Sequence, residues 1–545
     1  MKELSYFEEQ YNIAASARDS LMIKMAVTGC SALLFFLLTV FSLPTPVTSI
    51  FSLVFCIVIY LTCRVEINDG LLSLLRMNPS NDSFNAIALL VTVIHGTSLL
   101  FFQPENQNFF GAILFFSLFC SMAMKYCYVQ EILNNLNLIR NRKTFLVNVS
   151  ELILTKRYIN RVCTVNPVVE FPNVVETTYE SDPSEEKNKK FVPLTVAGTL
   201  VLSLICGIFN GFSMFLPSLA ALVTICATFT GEMEFVLPYI VMQRKMRRLG
   251  SVLLGYRSID NLKDIDTLMI RDRDLFPPKK NQLIEMKFQL PQYLAESVEY
   301  TAALLNISHS PLAEAFSGVL DCSVEKLPPV LQWRFIKNYG IVASVNVDSV
   351  LLGNRNLLQS HNILPYSTEQ EAALTAGGNK LTYLTINGQI AAILIFRYEE
   401  DRDLKRAAEH AGGEFTILID TNDCHVNETM IQQRYELSRT KIIVPDPDEL
   451  TLMEKLRNRQ NERPKPPVMI STQNALGILE SVRWAKNLSH TVDWSIFTQK
   501  GSVLLGLVLT AAALCIAPGT VSWLWLFLYN LLWSIPIFAI AFHTK

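Results

Sequence analysis

Arg271-Asp272-Arg273-Asp274 is the run in this chain whose residue types and spacing suit covalent chemistry. It follows Thr267-Leu268-Met269-Ile270, which reads as a short buried strand. Open α/β sheets bind and transform ligands just beyond the carboxyl ends of their strands. A carboxylate placed there, Asp272, could act as nucleophile, with Asp274 two residues on as an acid or base. Asp420, Asp423, Asp446 and Asp448 could supply further carboxylates for a magnesium ion. The competing reading is a solvated loop whose opposite charges pair locally.

A second set lies in an apolar run, 214–241. It holds Cys226, Glu232, Glu234 and Pro238. Acids inside a membrane are costly and mark ion paths. At i, i+2 the two glutamates do not share a helix face. Gly231 and Pro238 predict a broken helix, the form irregular backbone takes where it lines a cavity. The alternative is a span that ends early, leaving both acids at an interface. His95 reads as a hydrogen-bonded core residue, and Asn210 and Asn530 as bridges between helices.

These residues need a membrane scaffold and an α/β scaffold, and the composition provides for both. The chain has 545 residues, half of them hydrophobic, and a mean hydropathy of +0.28. That is too apolar for an ordinary soluble enzyme. A net charge of −2 gives no electrostatic case for nucleic acid. Eleven cysteines are scattered without a CxxC pair, so neither a zinc site nor a thioredoxin-type motif is signalled. Cys30, Cys56, Cys120, Cys206 and Cys515 lie in apolar runs and read as small buried hydrophobes. Glu3, Glu8 and Glu9 argue against a signal peptide.

Eight apolar runs approach the roughly 20 residues that a bilayer core requires: 25–43, 50–63, 84–102, 110–129, 192–212, 214–241, 501–517 and 521–541. They fall in the order four, two, two. Lys and Arg cluster at 140–161, 187–190 and 244–248, all on one side, which predicts cytoplasmic termini and cytoplasmic soluble parts. The first soluble part, 130–191, carries strand-like stretches at 144–147 and 167–171. The second, 242–495, alternates strand and helix, as a mostly parallel sheet does. Within it, Asn387-Gly388 signals a tight hairpin and Gly412-Gly413 a helix end. Residues 279–378 interrupt the alternation and predict an inserted lobe.

This arrangement resembles the heavy-metal (type IB) P-type ATPases, whose membrane part has the same four-two-two order. Local stretches carry the resemblance too. Asn261-Leu262-Lys263-Asp264-Ile265-Asp266-Thr267 is similar to the approach to that family's phosphorylation strand. Leu351-Leu352-Gly353-Asn354-Arg355-Asn356-Leu357-Leu358 is similar to a segment of its nucleotide-binding lobe. The resemblance implies four leading membrane helices (1–129), a reduced β-rich actuator-like domain (130–191), two helices (192–241), a HAD-like phosphorylation domain carrying a nucleotide-binding-like lobe (242–495), and two closing helices (496–545). Ser310, Pro311, Gly353 and Asn354 become the nucleotide-binding-like residues. Cys226, Glu232, Glu234 and Pro238 become the candidates for the membrane path.

The family's chemistry moves the γ-phosphate of ATP onto an aspartate, with magnesium and a lysine offsetting charge. Here the motifs depart. The nucleophile position of DKTGT is Arg271, and a guanidinium cannot accept phosphate. TGD becomes Asp420-Thr421-Asn422, and the lysine position falls at Leu450. No GDGxND occurs, and Val468-Met469-Ile470-Ser471-Thr472-Gln473-Asn474 stands in its place. SxHP becomes Ser308-His309-Ser310-Pro311, and CPC becomes Cys226-Ala227-Thr228. TGE is absent from 130–190; a Thr230-Gly231-Glu232 lies in the sixth span. The resemblance therefore implies a pseudo-ATPase with a regulatory or scaffold role in a plasma membrane, facing lipid and a protein partner. One alternative is a divergent ATP-driven cation pump using Asp272 or Asp274, with magnesium and ATP as its cofactors; Asp-x-Asp after an apolar strand also resembles haloacid-dehalogenase phosphatases. Another is an ion-coupled transporter working through Glu232 and Glu234.

Overall fold

Apolar runs of this length satisfy their backbone as helices, and the alternating stretches satisfy theirs as sheet. The computed structural model describes residues 2–41, 45–102, 109–141, 145–154, 157–167, 174–179, 183–317, 327–446, 448–449, 451, 468–472 and 475–543. The chain forms two units. One comprises residues 1–143, 170–263 and 484–545; the other comprises 144–169 and 264–483.

The first unit is helical. In chain order it holds α1 (Lys2–Val40), α2 (Thr45–Thr62), α3 (Arg64–Leu75), α4 (Asp82–Phe102), α5 (Gly111–Asn141), α6 (Pro183–Asn210), α7 (Phe215–Cys226) and α8 (Met233–Arg248). It closes with α9 (Ala475–Ile516), whose residues from Trp484 belong here, and α10 (Trp523–Phe542). Six of these helices are long and apolar enough to cross a membrane, or seven if the bent pair α2–α3 counts as one span. Eight were expected, and the difference lies at the bent pair α2–α3 and at 214–241. There the apolar run is divided into α7 and α8, and neither piece alone has the length.

The 87° bend between α2 and α3 has a sequence cause. α3 opens on Arg64, Glu66, Asn68 and Asp69 and is too polar to continue an apolar span. Glu66 meets Lys24 of α1 at 2.5 Å. Aromatic rings fill the bundle. Phe35 stands edge-on to Phe115 at 5.3 Å, and Phe116 to Phe229 at 4.6 Å. His95 is buried and stacks against Phe109 and Phe110, as a core residue would. Asn210 donates to the Leu514 carbonyl of α9 and bridges two helices, whereas Asn530 donates to Leu526 of its own helix.

The second unit is α/β. Its strands are β1 (Phe145–Leu154), β2 (Arg157–Pro167), β3 (Thr267–Arg271), β4 (Gln282–Phe288), β5 (Val330–Ile336), β6 (Gly340–Val345), β7 (Asp348–Gly353), β8 (Lys380–Ile386), β9 (Gln389–Arg397), β10 (Thr416–Asp420), β11 (Ile442–Ile443) and β12 (Met469–Ser471). Within this unit the core sheet runs β11-β10-β3-β2-β1-β12. β3 is parallel to β10 and to β2, while β1 is antiparallel to β2 and to β12. The lobe is an antiparallel sheet, β4-β9-β8-β7-β6-β5. It takes in 380–397 as well as strands within 279–378.

Two details of local structure follow from residue chemistry. The β8–β9 turn places Asn387 and Gly388 at φ +49° and +80°, the pair of positive angles that a two-residue hairpin requires. The helix Arg402–Ala411 starts at Asp401, whose carboxylate accepts from the Asp403 and Leu404 amides, and ends at Gly412 with φ +56°.

The strand expected at 144–147 is the longer β1, and β2 was not expected; of the strand expected at 167–171 only Pro167 is described, and residue 144 also lies outside those described. Asn148, Ser150, Asn160 and Thr164 mask the alternation, and partners distant in the chain stabilise the pairing. The sequence also predicts a helix over 449–459, which lies largely outside the described residues.

Candidate functional site

β3 runs inward from Thr267 and ends on Arg271, which pairs in register with Asp420 at the end of β10. A one-turn helix, Asp272–Leu275, follows at once. Arg271 lies nearly half exposed, and its Nε stands 3.3 Å from Oδ2 of Asp274, whose side chain is almost covered. Arg271 thus closes over Asp274. The Asp272 side chain turns the other way and is buried, accepting the Thr421 hydroxyl at 2.7 Å. Burial pushes the Asp272 carboxyl well above its ordinary range; the Thr421 bond offsets this in part, and the charges of Asp423 and Asp420 add to it.

Thr421 also accepts the Asp423 amide at 3.0 Å. Asp423 is the hub of the cluster. It takes the Ser310 hydroxyl at 3.1 Å, the Tyr398 hydroxyl at 2.9 Å and the His425 amide at 2.9 Å. Burial, followed by the Asp423 charge, holds the Tyr398 hydroxyl far above its usual range. Burial lowers His425, which disfavours its charged form, and its Nε2 lies 2.9 Å from the Thr382 hydroxyl.

The nucleotide-lobe candidates are employed in the fold. The Ser310 hydroxyl donates to Asp423 and accepts the Leu312 amide. The Pro311 carbonyl accepts from Asn281. Asn354 caps the helix Arg355–Ser360 through the Asn356 and Leu357 amides, and its Nδ2 donates to the Asn338 carbonyl at 2.7 Å. Gly353 lies so close to Tyr339 that a Cβ would stand 2.3 Å from its carbonyl oxygen.

Magnesium does not fit this strand end. A guanidinium occupies its mouth, Asp272 is buried beneath a hydroxyl, and Asp423 is held by three donors. Among the described residues no group of three or more His, Cys, Asp or Glu side chains is placed to hold a metal ion. β12 is separated from β3 by the β1–β2 hairpin. Three strand intervals put its backbone about 14 Å from β3, so Val468 to Thr472 do not adjoin Arg271. Asp446 pairs with Lys337 at 3.3 Å instead. Pro447, Leu450, Gln473 and Asn474 lie outside the described residues.

The first unit holds the second candidate. α7 ends at Cys226 and α8 begins at Met233, so 227–232 are unwound. The predicted break is present, and Thr230-Gly231-Glu232 lies in it. Pro238 lies inside α8. Cys226 directs its sulfur back to the Leu222 carbonyl of its own helix. The break is held by side chains: Ser117 donates to the Thr228 carbonyl at 3.0 Å and to Asn85 at 2.9 Å, and Gln499 donates to the Thr228 hydroxyl at 3.1 Å. Lys125 of α5 sits between Asp82 at 2.6 Å and Glu232 at 3.8 Å. A cavity of about 310 Å³ opens beside them, lined by Asp82, Lys125, Tyr128, Thr178, Glu185 and Glu232 among others. Glu234 is buried and lines a smaller space at the break with Glu232. Lys125 and Asp82 carry no motif that singles them out. Their signal is charge within or beside an apolar run.

No family model matches the sequence. Among solved structures, the chain aligns with a zinc-transporting PIB-type ATPase in its E2.Pi state over 97% of this chain and 99% of that one, at 13% identity and TM-score 0.51. A second structure of a zinc-transporting PIB-type ATPase aligns over 96% and 98%, at 13% identity and TM-score 0.47. The first of these, covering both chains almost end to end, shows that this protein has the fold of a heavy-metal, PIB-type P-type ATPase.

Proposed function

We propose that this protein is a P-type ATPase-like membrane protein that forms no aspartyl phosphate and serves as a regulatory or scaffold subunit. The observation that carries the reading is Arg271 at the end of β3, with Asp272 buried against Thr421 and Asp274 held by Arg271. Attack on phosphorus needs an ionised, accessible carboxylate. Burial disfavours the ionised form of Asp272 and covers it, and the guanidinium covers Asp274. The α/β core is then a HAD-like domain, β4 to β9 its nucleotide-lobe equivalent, and the β1–β2 hairpin what remains of an actuator. Counting α2–α3 and α7–α8 each as one crossing gives eight spans, with the soluble parts cytoplasmic and the protein in a plasma membrane.

The test is acid-stable labelling of the purified protein by γ-labelled ATP with magnesium, across a panel of transition metals. No label is expected in the wild type, Asp272→Asn or Asp274→Asn. A hydroxylamine-sensitive label that one of the two variants abolishes would refute the proposal and identify the nucleophile.

One observation favours a second reading, ion passage without ATP. The unwound 227–232, the Asp82–Lys125–Glu232 contacts and the adjoining cavity resemble the broken helices at which transporters bind ions. Flux into liposomes without nucleotide, lost in Glu232→Gln, would support it; equal flux in both proteins would reject it.

A further inference from the structure

Cys206 of α6 and Cys515 of α9 bring their sulfurs within 3.3 Å of each other. The register that makes this contact is fixed by a second bond one turn along, from Asn210 Nδ2 to the Leu514 carbonyl at 3.0 Å. The Cys206 sulfur also lies 3.8 Å from the Ala511 carbonyl. It therefore faces one turn of α9, between positions 511 and 515. Both residues belong to the last turns of their helices, which end at Asn210 and Ile516. Cys206 is buried and Cys515 is partly exposed.

Distance decides which chemistry the pair suits. A disulfide places its sulfurs about 2.0 Å apart, so they must close by a little over 1 Å, within reach of side-chain rotation. Two thiolates on a tetrahedral zinc ion would stand about 3.8 Å apart and need two more ligands. No such group exists among the described residues. Cys226, in the neighbouring α7, instead contacts its own helix at Leu222.

We propose that Cys206 and Cys515 form a dithiol–disulfide couple that staples α6 to α9. The oxidant is an organic disulfide, RSSR. The Cys515 thiolate attacks one sulfur of RSSR; the donor S–S bond breaks, and RS⁻ leaves and takes up the proton that Cys515 gave up. The Cys206 sulfur then attacks the mixed disulfide at Cys515, expelling a second RS⁻, which takes the Cys206 proton. Two electrons pass from the protein sulfurs to the donor, and two RSH are released. The partly exposed Cys515 is the point of entry and the buried Cys206 resolves. Oxidation fixes the separation of two helices that, when reduced, meet here through the Asn210 amide and apolar contact.

The experiment treats the full-length protein, in detergent and in membrane vesicles, with dipyridyl disulfide, which is small and apolar. Alkylation with maleimide, digestion without reductant and mass spectrometry follow. The expected result is the peptides bearing Cys206 and Cys515 joined at a mass two hydrogens lower, and their release by reductant, whereas other accessible thiols such as Cys30 carry pyridylthio groups. In Cys206→Ser or Cys206→Ala the joined species should vanish, and Cys515 should carry a pyridylthio group. Cys226→Ser should leave the link unchanged. Separate pyridylthio adducts on the two cysteines of the wild type, or both still alkylated after treatment, would overturn the proposal.

Discussion

The strand end at Arg271 and the helix break at 227–232 hold similar polar inventories and use them differently. At the strand end every carboxylate with a described contact is closed by a neighbour: Asp274 by Arg271, Asp272 by Thr421, Asp423 by Ser310, Tyr398 and the His425 amide. None of these three is left over for a ligand's charge. At the break, Lys125 divides its contact between Asp82 and Glu232, and a cavity of about 310 Å³ adjoins all three. A buried polar cluster that satisfies itself specifies a fold; one that borders space can exchange partners. The lesson is that two sites of one fold can differ in whether their polar groups close on one another.

The sharpest break in this contrast is Lys125→Met. It leaves Asp82 and Glu232 in the bundle without their cation, and the loss expected is about 3–5 kcal/mol, read as a fall in the thermal midpoint of the full-length protein in detergent. A change within error would mean that the ion pairs are held by water and contribute little.

Next is Asp423→Ala, which strands the Ser310 and Tyr398 hydroxyls and the His425 amide. The cost should be about 3 kcal/mol, measured by denaturant unfolding of the full chain. Asp423→Asn should recover part of it, because the amide oxygen still accepts.

Asp272→Asn should act in the opposite direction. The folded-state pKa of Asp272 is raised. Its contribution to stability is therefore complete below the unfolded carboxylate pKa and is lost as pH rises through the folded value. A neutral asparagine removes that loss while still accepting from Thr421. The variant should equal or exceed the wild type in thermal midpoint at neutral pH and show a flatter pH profile. A variant less stable than the wild type at neutral pH would mean that Asp272 is ionised and needed there.

The smallest effect is Arg271→Ala. A half-exposed pair at i, i+3 contributes about 0.5 kcal/mol, so stability should barely move, and no phosphoenzyme should appear. A label on Asp274 in this variant would show that the arginine alone silences the site.

Much of the fold was legible in the sequence. The membrane helices follow from apolar run length, and Gly231 lies in the break at 227–232 that the sequence predicts, whereas Pro238 is accommodated inside α8. Arg271 at the end of β3 was legible in the sequence itself. The β8–β9 hairpin was legible in Asn387-Gly388. Other features depend on partners far along the chain, which local patterns do not encode. Tyr398 is a tyrosine at a strand exit until Asp423, 25 residues later, gives its hydroxyl a partner. The α2–α3 bend was missed because the apolar run at 50–63 gives no hint of turning; the polar start at Arg64, Glu66 and Asn68 carries the cue. Gly353 and Asn354 drew notice as a motif, and the structure assigns them to close strand approach and a helix cap.

The β1–β2 hairpin also sets an order of events at the ribosome. β2 pairs with β3 and β1 with β12, so the hairpin is complete as sequence long before either neighbour exists. Met469 emerges about 300 residues after Pro167, which at about 5–20 residues per second is a delay of roughly 15–60 s. Until Thr267 emerges both hairpin edges carry unsatisfied donors and acceptors, and the β1 edge keeps them for the whole interval, the exposure that invites pairing with the wrong chain. Nascent chains of this protein should therefore depend on a holding chaperone until translation passes Ser471.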